Sequence, residues 1–169
     1  LEKNKINELL KTHSSTKERL ESDTYKKLIS IIKKLNPNSI LDLACGLNPI
    51  AIATLIPNVK YHAIDIKRDE LNLINIFFEK NKIKGDIHLY DIRKIENFPK
   101  TDLCLILKTL DIIDDKNHKI SKKILERINS KYLIVSFSTC TLSGKPMNFP
   151  RRTWFERILA NLEYKYEII

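Results

Sequence analysis

The stretch "SILDLACGLNPIAIA", residues 39–53, decides the fold. An apolar run containing one acidic residue, Asp42, breaks at a single glycine, Gly46, and is followed by Asn48, Pro49 and a second apolar run. A short apolar run, a glycine-containing turn and a longer apolar segment that begins with proline are typical of a buried strand leading into a helix. The stretch therefore predicts the first strand–turn–helix unit of an α/β domain.

The same alternation continues to the end of the chain. Further strands are predicted at 60–66, 86–92, 101–110, 131–139 and 163–169, and helices at 49–56, 69–82, 116–128 and 152–162. Strands that alternate with helices and are almost continuously apolar indicate a mostly parallel, doubly wound sheet covered on both faces. Residues 1–37 are predicted to form a small helical N-terminal extension, appended to a domain at 38–169.

Composition sets limits on the class of protein. A chain of 169 residues suits one domain, and its net charge of +9 favours an anionic partner such as nucleic acid. No apolar run approaches the roughly 18 residues that a membrane span needs, and no signal peptide pattern is present at the start.

Cysteine and histidine give no sign of a metal site. Three cysteines in or beside apolar runs (Cys45, Cys104, Cys140) are predicted to be buried free thiols, which indicates a reducing, cytoplasmic compartment. The four histidines (His13, His62, His88, His118) lack ligand-type spacing, so no metal is expected.

Ligands of doubly wound sheets bind beyond the carboxyl ends of the strands. The turn at Gly46 has one glycine where a dinucleotide loop needs three, which argues against a bound pyrophosphate and a nicotinamide-dependent oxidoreductase. Asp65, at the end of the second strand, is placed to accept ribose hydroxyls, and Asp91, one strand on, to accept from a purine amine. This pattern indicates a nucleoside without phosphate, such as S-adenosylmethionine. Asp42 bonding local amides, Asp65 capping a helix and Asp91 serving a turn remain the alternatives.

Four segments carry a resemblance to a known family. "DLACGLNP" (42–49) resembles the first motif of the aminoglycoside-resistance 16S rRNA (guanine-N7) methyltransferases of the FmrO type. "HSSTKERL" (13–20), "LILKTLDIID" (105–114) and "VSFSTCTLSGK" (135–145) are similar to other segments of that family, in the same order. Asp111 and Ser138 depart from it, because the family favours proline at both positions.

The resemblance implies a Rossmann-like class I S-adenosylmethionine-dependent methyltransferase of seven strands, the last of which we expect to be missing or disordered here. It implies methylation of N7 of a guanine in small-subunit rRNA, free or in the 30S particle. Arg19 would pair with the methionine carboxylate of the donor, and the other expected donor contacts are Asp42, Ala44, Gly46, Asp65, Ile66, Asp91, Ile92 and Lys108.

No general base is expected, because N7 of guanine already carries a lone pair. Candidates for the base pocket are Lys108, Thr109, Ser136 and Ser138, and candidates for phosphate contacts are Lys145, Arg151 and Arg152. Phe137 is a candidate for stacking on a base, with a core position as the alternative. The competing functions are a non-catalytic RNA- or ribosome-binding module with a degenerate methyltransferase fold, and a methyltransferase for a small molecule. A monomer is expected in each case.

Overall fold

The computed structural model describes residues 24–141, 144–148 and 150–169. Its centre is a sheet of five parallel strands in the order β3-β2-β1-β4-β5. The strands are β1 (Ser39–Leu43), β2 (Lys60–Asp65), β3 (Gly85–Leu89), β4 (Thr101–Leu107) and β5 (Ser130–Ser136). The helices are α1 (Thr24–Leu35), α2 (Asn48–Leu55), α3 (Arg68–Asn81), α4 (Leu110–Ile113), α5 (Lys119–Arg127) and α6 (Thr153–Asn161). The doubly wound sheet predicted from the sequence is confirmed.

Two apolar clusters lie on opposite faces of the sheet. One joins α1, α2 and α3 to the sheet, with Ile32, Ile50 and Ile74 fully buried. The other joins α4, α5 and α6 to the opposite face, with Leu110 and Leu125 at its centre. Each fully buried aliphatic side chain contributes about 1.5–3 kcal/mol to folding. The central strands β1 and β4 are apolar on both faces because both faces are covered.

Helix α1 belongs to the predicted N-terminal extension, yet it is part of the domain core. Its apolar face, which includes Tyr25, Leu28 and Ile32, is buried against the same cluster as α2 and α3. Over the described residues, the boundary predicted at residue 37 therefore does not divide the structure into two separately packed units. The remainder of that extension, residues 1–23, lies outside them.

The C-terminal segment differs from the prediction. Residues 163–169 form no strand, so the predicted sixth strand is wrong. Glu163 has a left-handed backbone (φ 59°), and the Tyr166 hydroxyl donates to Glu156 of α6 at 2.9 Å instead of lying in a sheet. Ile168 and Ile169 are exposed, because no neighbouring strand covers them.

Two of the three cysteines occupy the predicted environment. Cys45 and Cys104 are buried free thiols, and burial raises the pKa of each well above its ordinary value. Cys140 is only half-buried, because it lies in a loop and pairs with Pro146 through an isolated bridge. Among the described residues, no helix combines the length and apolar character that crossing a membrane requires.

Candidate functional site

The centre of the site is the point where strand order reverses, between β1 and β4. The chain turns from β1 toward β2 on one side and from β4 toward β5 on the other, which opens a crevice at the carboxyl edge. The residues that directly follow these strands, Ala44 (φ 52°) and Lys108 (φ 56°), both have left-handed backbones, as does Gly46 (φ 50°). Such conformations cost about 1–3 kcal/mol for residues other than glycine and concentrate at functional sites. The strain lies on both sides of the crevice.

Asp65 ties the ends of β1 and β2 together. Its Oδ2 accepts a hydrogen bond from the Gly46 backbone N–H at 2.8 Å, and its Oδ1 accepts from the N–H groups of Ile66 (2.7 Å) and Lys67 (3.0 Å). A carboxylate has about four acceptor positions, of which these bonds use three. The side chain does not cap α3, whose N-cap is Lys67 without a side-chain bond. One acceptor position thus remains for a ligand hydroxyl.

Asp42 is fully buried beneath the same turn. Its Oδ2 accepts from the hydroxyl of Tyr61, in the neighbouring strand, at 2.7 Å. This bond connects two strands and so differs from the local backbone contact that was the alternative for Asp42. Burial, together with the Asp42 charge, raises the pKa of Tyr61 well above its ordinary value, so the hydroxyl remains a donor.

The "GLNP" sequence has a structural reason at each of its polar or constrained positions. Gly46 adopts the left-handed backbone at low cost, and Pro49 lies in the first turn of α2, where its missing N–H is not needed. Asn48 is buried and accepts a hydrogen bond through Oδ1 from the hydroxyl of Tyr25 at 2.8 Å. The turn is therefore held by two hydrogen bonds, one from Tyr25 of α1 to Asn48 and one from the Gly46 N–H to Asp65.

Asp91 follows β3 and is engaged by Arg93. Its carboxylate accepts from the Arg93 backbone N–H at 3.0 Å and from the Arg93 guanidinium at 2.7–3.1 Å. The Arg93 side chain lowers the pKa of Asp91 to about 2. These contacts match the turn role that was the alternative for Asp91, and a contact with a purine amine would have to share the carboxylate with Arg93.

The two isoleucines expected at the donor lie in different environments. Ile66 is 64% exposed beside Asp65, so its side chain is open to an adenine ring. Ile92 is 5% exposed and packs in the core cluster with Phe98. The residues present fit S-adenosylmethionine at the ribose and adenine ends: a carboxylate with a remaining acceptor position, an adjacent exposed apolar side chain and a turn without a phosphate loop. We call residues 42–46 and 65–67 the β1–β2 edge.

Across the crevice lies the β4–β5 edge, residues 108–111, 136–141 and 150–152. The Lys108 N–H donates to the Ser136 carbonyl at 2.8 Å, which brings two of the predicted pocket residues together. Thr109 is buried and its hydroxyl donates to the Leu107 carbonyl at 3.2 Å, whereas the Ser138 hydroxyl donates to the Cys140 carbonyl at 2.7 Å. Of the four predicted pocket residues, Thr109 and Ser138 therefore donate their hydroxyl protons to backbone carbonyls.

Arg152 holds this edge together. Its guanidinium donates to both carboxylate oxygens of Asp111 at 2.7–3.2 Å and to the Ser138 carbonyl at 3.1 Å. It also lies over the Phe137 ring, 5.5 Å from the ring centroid. The Arg152 side chain is 13% exposed. Its place among these groups favours a structural role over the predicted phosphate contact.

The other residues predicted to contact RNA or bases have simpler surroundings. Arg151 is exposed and pairs with Glu156 at 2.6–2.7 Å, and Lys145 is exposed in the loop. Phe137 packs edge-to-face on Trp154 and Phe155, with centroids 5.8 and 5.1 Å apart, which is the core alternative. Arg19 and the "HSSTKERL" segment lie outside the described residues.

Three residues of the site escaped sequence analysis. Tyr61 and Arg93 were not among the predicted site residues, and Asp111 was noted only as a departure from the family pattern. The spacing of Asp91 and Arg93 was the one available signal, because an acid two residues before a cation is compatible with a charged turn. Nothing local in the sequence marks the partners of Tyr61 or Asp111.

The sequence is similar to proteins of one known family. A family model described as "Ribosomal RNA methyltransferase (FmrO)" matches residues 2–165. The chain is 31% identical over 167 residues to a 16S rRNA (guanine(1405)-N(7))-methyltransferase of Serratia marcescens, and the match covers 96% of this chain and 64% of that protein. It is 26% identical over 140 residues to the enzyme of the same name from Micromonospora echinospora, covering 80% and 50% of the two chains.

Solved structures of 16S rRNA methylases are similar to this chain in fold and sequence. The 16S rRNA methylase ArmA superimposes with a TM-score of 0.66 at 30% identity, covering 92% of this chain and 80% of its own. The 16S rRNA methylase RmtB superimposes with a TM-score of 0.74 at 27% identity, covering 90% and 58%. RmtF, solved in complex with S-adenosyl-L-homocysteine, shares the fold with a TM-score of 0.79 at 24% identity. The chain spans less than two thirds of the length of the curated relatives named above.

Proposed function

Because the chain belongs to the family of ribosomal RNA methyltransferases typified by FmrO, we propose that it transfers a methyl group from S-adenosylmethionine to N7 of a guanine in 16S rRNA. The observation that carries the proposal is the family match over residues 2–165, which includes every element of the crevice described above. Its fold is that of Rossmann-like class I S-adenosylmethionine-dependent methyltransferases. The family match disfavours a nicotinamide-dependent oxidoreductase.

We assign the donor to the β1–β2 edge. Asp65 would accept a ribose hydroxyl at its remaining acceptor position, and Ile66 would cover one face of the adenine. Asp91 would lie toward the adenine amine, with Arg93 holding its carboxylate. Gly46 has no side chain, so the donor could approach the backbone of the turn closely. Asp42, two residues before Ala44, would be held in place by its bond from Tyr61.

The β4–β5 edge would receive the guanine. When bound, S-adenosylmethionine supplies an electrophilic methyl group, and N7 attacks it with its own lone pair. No residue has to remove a proton, so the contribution of the chain is to hold N7 in line with the methyl group and to exclude water. Lys108 and Ser136 stand at the crevice, and Arg152 fixes the loop beside them. Arg151 and Lys145 are the exposed cations that would meet phosphates.

The proposed substrate is small-subunit rRNA, in the free form or within the 30S particle, and the proposed active form is a monomer in the cytoplasm. The net charge of +9 supports an RNA partner. Buried free thiols at Cys45 and Cys104 support a reducing compartment.

Two measurements test the proposal. Calorimetry with S-adenosylhomocysteine should detect binding of one molecule per chain, and no binding by the folded chain would contradict it. Transfer of tritium from labelled donor to naked 16S rRNA, 30S particles and a pool of small metabolites should label one of the RNA substrates. Strand cleavage at 7-methylguanine then maps the nucleotide. Labelling of metabolites alone would reject the RNA substrate, and donor-independent RNA binding alone would indicate a non-catalytic module.

A further inference from the structure

Three metal-ligating side chains meet at the outer edge of the sheet, on β2 and β3. His62 pairs in register with Asp86, and Ile64 pairs with His88, so the three polar side chains lie on one face. Each offers a ligand atom within 4.8 Å of the other two, and the two imidazole rings are nearly parallel with centroids 6.5 Å apart. Among the described residues, this is the group of three or more histidine, cysteine or acidic side chains whose spacing suits a metal ion.

This part of the sheet differs from the usual parallel sheet, whose strands are apolar on both faces. On the opposite face, Tyr61, Ala63 and Ile87 pack against the α1–α3 cluster. The connection from β3 to β4 contains no helix, and its residues Ile92 and Phe98 pack in the second core cluster. Asp86 and His88 are therefore left exposed.

The buried member of the group has an unused ring nitrogen. Nδ1 of His62 is 3.2 Å from Oδ2 of Asp86, within ion-pair distance, but makes no hydrogen bond. Burial and the nearby Lys60 lower the pKa of His62.

We propose that His62, Asp86 and His88 form a site for a divalent transition-metal ion of the zinc class. Two imidazoles and one carboxylate are a donor set that zinc, cobalt and nickel accept, with water completing the coordination. Tetrahedral zinc with bonds of about 2.0–2.1 Å places its ligand atoms roughly 3.4 Å apart, so the exposed Asp86 and His88 must turn inward slightly. The ion would cross-link β2 to β3 and stiffen the strand that ends at Asp65. The proposal does not depend on the proposed methyltransferase activity.

Lys60 gives the proposal a distinctive consequence. Its Nζ lies 3.0 Å from Oδ2 of Asp86, where it competes with a metal ion for the carboxylate. Both side chains are about half exposed, at 54% and 48%, so the pair is weak and an incoming ion can displace it. Removal of Lys60 should therefore strengthen metal binding, whereas metal adsorbed elsewhere on the surface would not respond.

Titration of the full chain with Zn²⁺ by calorimetry, and with Co²⁺ by visible absorption, tests the site. We expect one ion per chain. His88→Ala should weaken binding at least about tenfold, since even ligand-supporting groups are typically worth 10–100-fold. Asp86→Asn should weaken it as well, and Lys60→Ala should tighten it a few-fold. His88 and Asp86 are exposed, so these variants should fold, which circular dichroism checks.

Matched controls come from the remaining histidines and the cysteines. His118→Ala, which removes a half-buried histidine stacked on Trp154, should leave the affinity unchanged, as should His13→Ala. Absence of binding, or equal affinity in the wild type, His88→Ala and Asp86→Asn, would overturn the proposal. A thiolate-to-cobalt charge-transfer band would place the ion on a cysteine and overturn it too.

Discussion

The β1–β2 edge and the β4–β5 edge face each other across one crevice but are built differently. The first is held by buried hydrogen bonds between neighbouring strands, such as Tyr61 to Asp42 and Gly46 to Asp65. The second is held by Arg152, which reaches Asp111 from 41 residues away and lies partly exposed to solvent. Buried hydrogen-bonded polar groups give rigidity, whereas an ion pair partly open to solvent, here with Arg152 13% and Asp111 33% exposed, contributes less. The proposed donor side is therefore preorganised, whereas the proposed base side depends on one arginine.

The largest expected effect comes from Asp65→Ala at the β1–β2 edge. It leaves the buried N–H of Gly46, and those of Ile66 and Lys67, without their acceptor. We expect a loss of about 3 kcal/mol in the free energy of unfolding and a fall of roughly 100-fold in affinity for S-adenosylhomocysteine. Denaturant unfolding and calorimetry measure the two effects. The matched control is Asp69→Ala, an exposed acid in the first turn of α3, which should change neither quantity appreciably. Equal donor affinity in both variants would remove Asp65 from the donor site.

The position of Asp65 beside the Gly46 turn was predictable from the sequence because it depends only on strand order and strand ends. The acid after the second strand and the glycine after the first must be neighbours in any doubly wound sheet, and they are bonded at 2.8 Å. Ala44 and Lys108, which the resemblance implied as donor contacts, directly follow β1 and β4. Strand ends alone do not identify the hydrogen-bond partner of each polar side chain. The bond that the Gly46 N–H donates to Asp65 was therefore not predicted.

The misses have a common physical cause, which is that partners distant in sequence are set by register and loop path. Tyr61 meets Asp42 because of where β2 pairs with β1, and the hydrophobic pattern does not reveal the pairing. The group of His62, Asp86 and His88 also forms only through register, so its sequence spacing resembles no metal motif. The strand prediction at 163–169 was wrong for a related reason. Alternating polarity allows a strand, but a strand forms only where a neighbouring strand is available to pair with it.

Tyr61→Phe tests whether the β1–β2 edge is stabilised by its buried hydrogen bond. The change removes the hydroxyl that bonds to the fully buried Asp42 and leaves the ring in place. We expect a loss of about 1–3 kcal/mol, measured as a lower melting temperature, at roughly 2–4 °C per kcal/mol. Tyr132→Phe is the control, because no hydrogen bond of the Tyr132 hydroxyl is found in the described part of the chain. Equal losses in the two variants would show that Asp42 does not need this donor.

Arg152→Ala tests the β4–β5 edge, with its neighbour Arg151→Ala for comparison. Loss of the Arg152 contacts to Asp111 and Ser138 should cost about 1.5 kcal/mol of stability. It should also lower methyl transfer to RNA roughly tenfold by loosening the loop, while affinity for S-adenosylhomocysteine stays within about twofold. Arg151 is exposed, so its removal should spare stability and reduce the salt dependence of RNA binding instead. If Arg152→Ala weakened donor binding as much as Asp65→Ala, the two edges would not be separable.

The smallest effect is expected at Asp91, where an exposed ion pair lies beside the β1–β2 edge. Arg93 lowers the pKa of Asp91 to about 2 from its ordinary 3.8, so Arg93→Ala should return the pKa toward 3.8 in an NMR titration of the carboxyl group. The sign follows from linkage: a lowered folded-state pKa stabilises the fold above the unfolded value, and that stabilisation disappears as pH falls through about 2. The difference in stability between wild type and variant should therefore be constant above about pH 4 and vanish toward pH 2.

Lys94→Ala, the neighbouring cation, should leave the titration nearly unchanged, because its charge is a minor cause of the lowered pKa. A pKa that stays near 2 without Arg93 would mean that the backbone turn alone holds the carboxylate, and Asp91 would then be freer to meet an adenine amine than the Arg93 contacts imply.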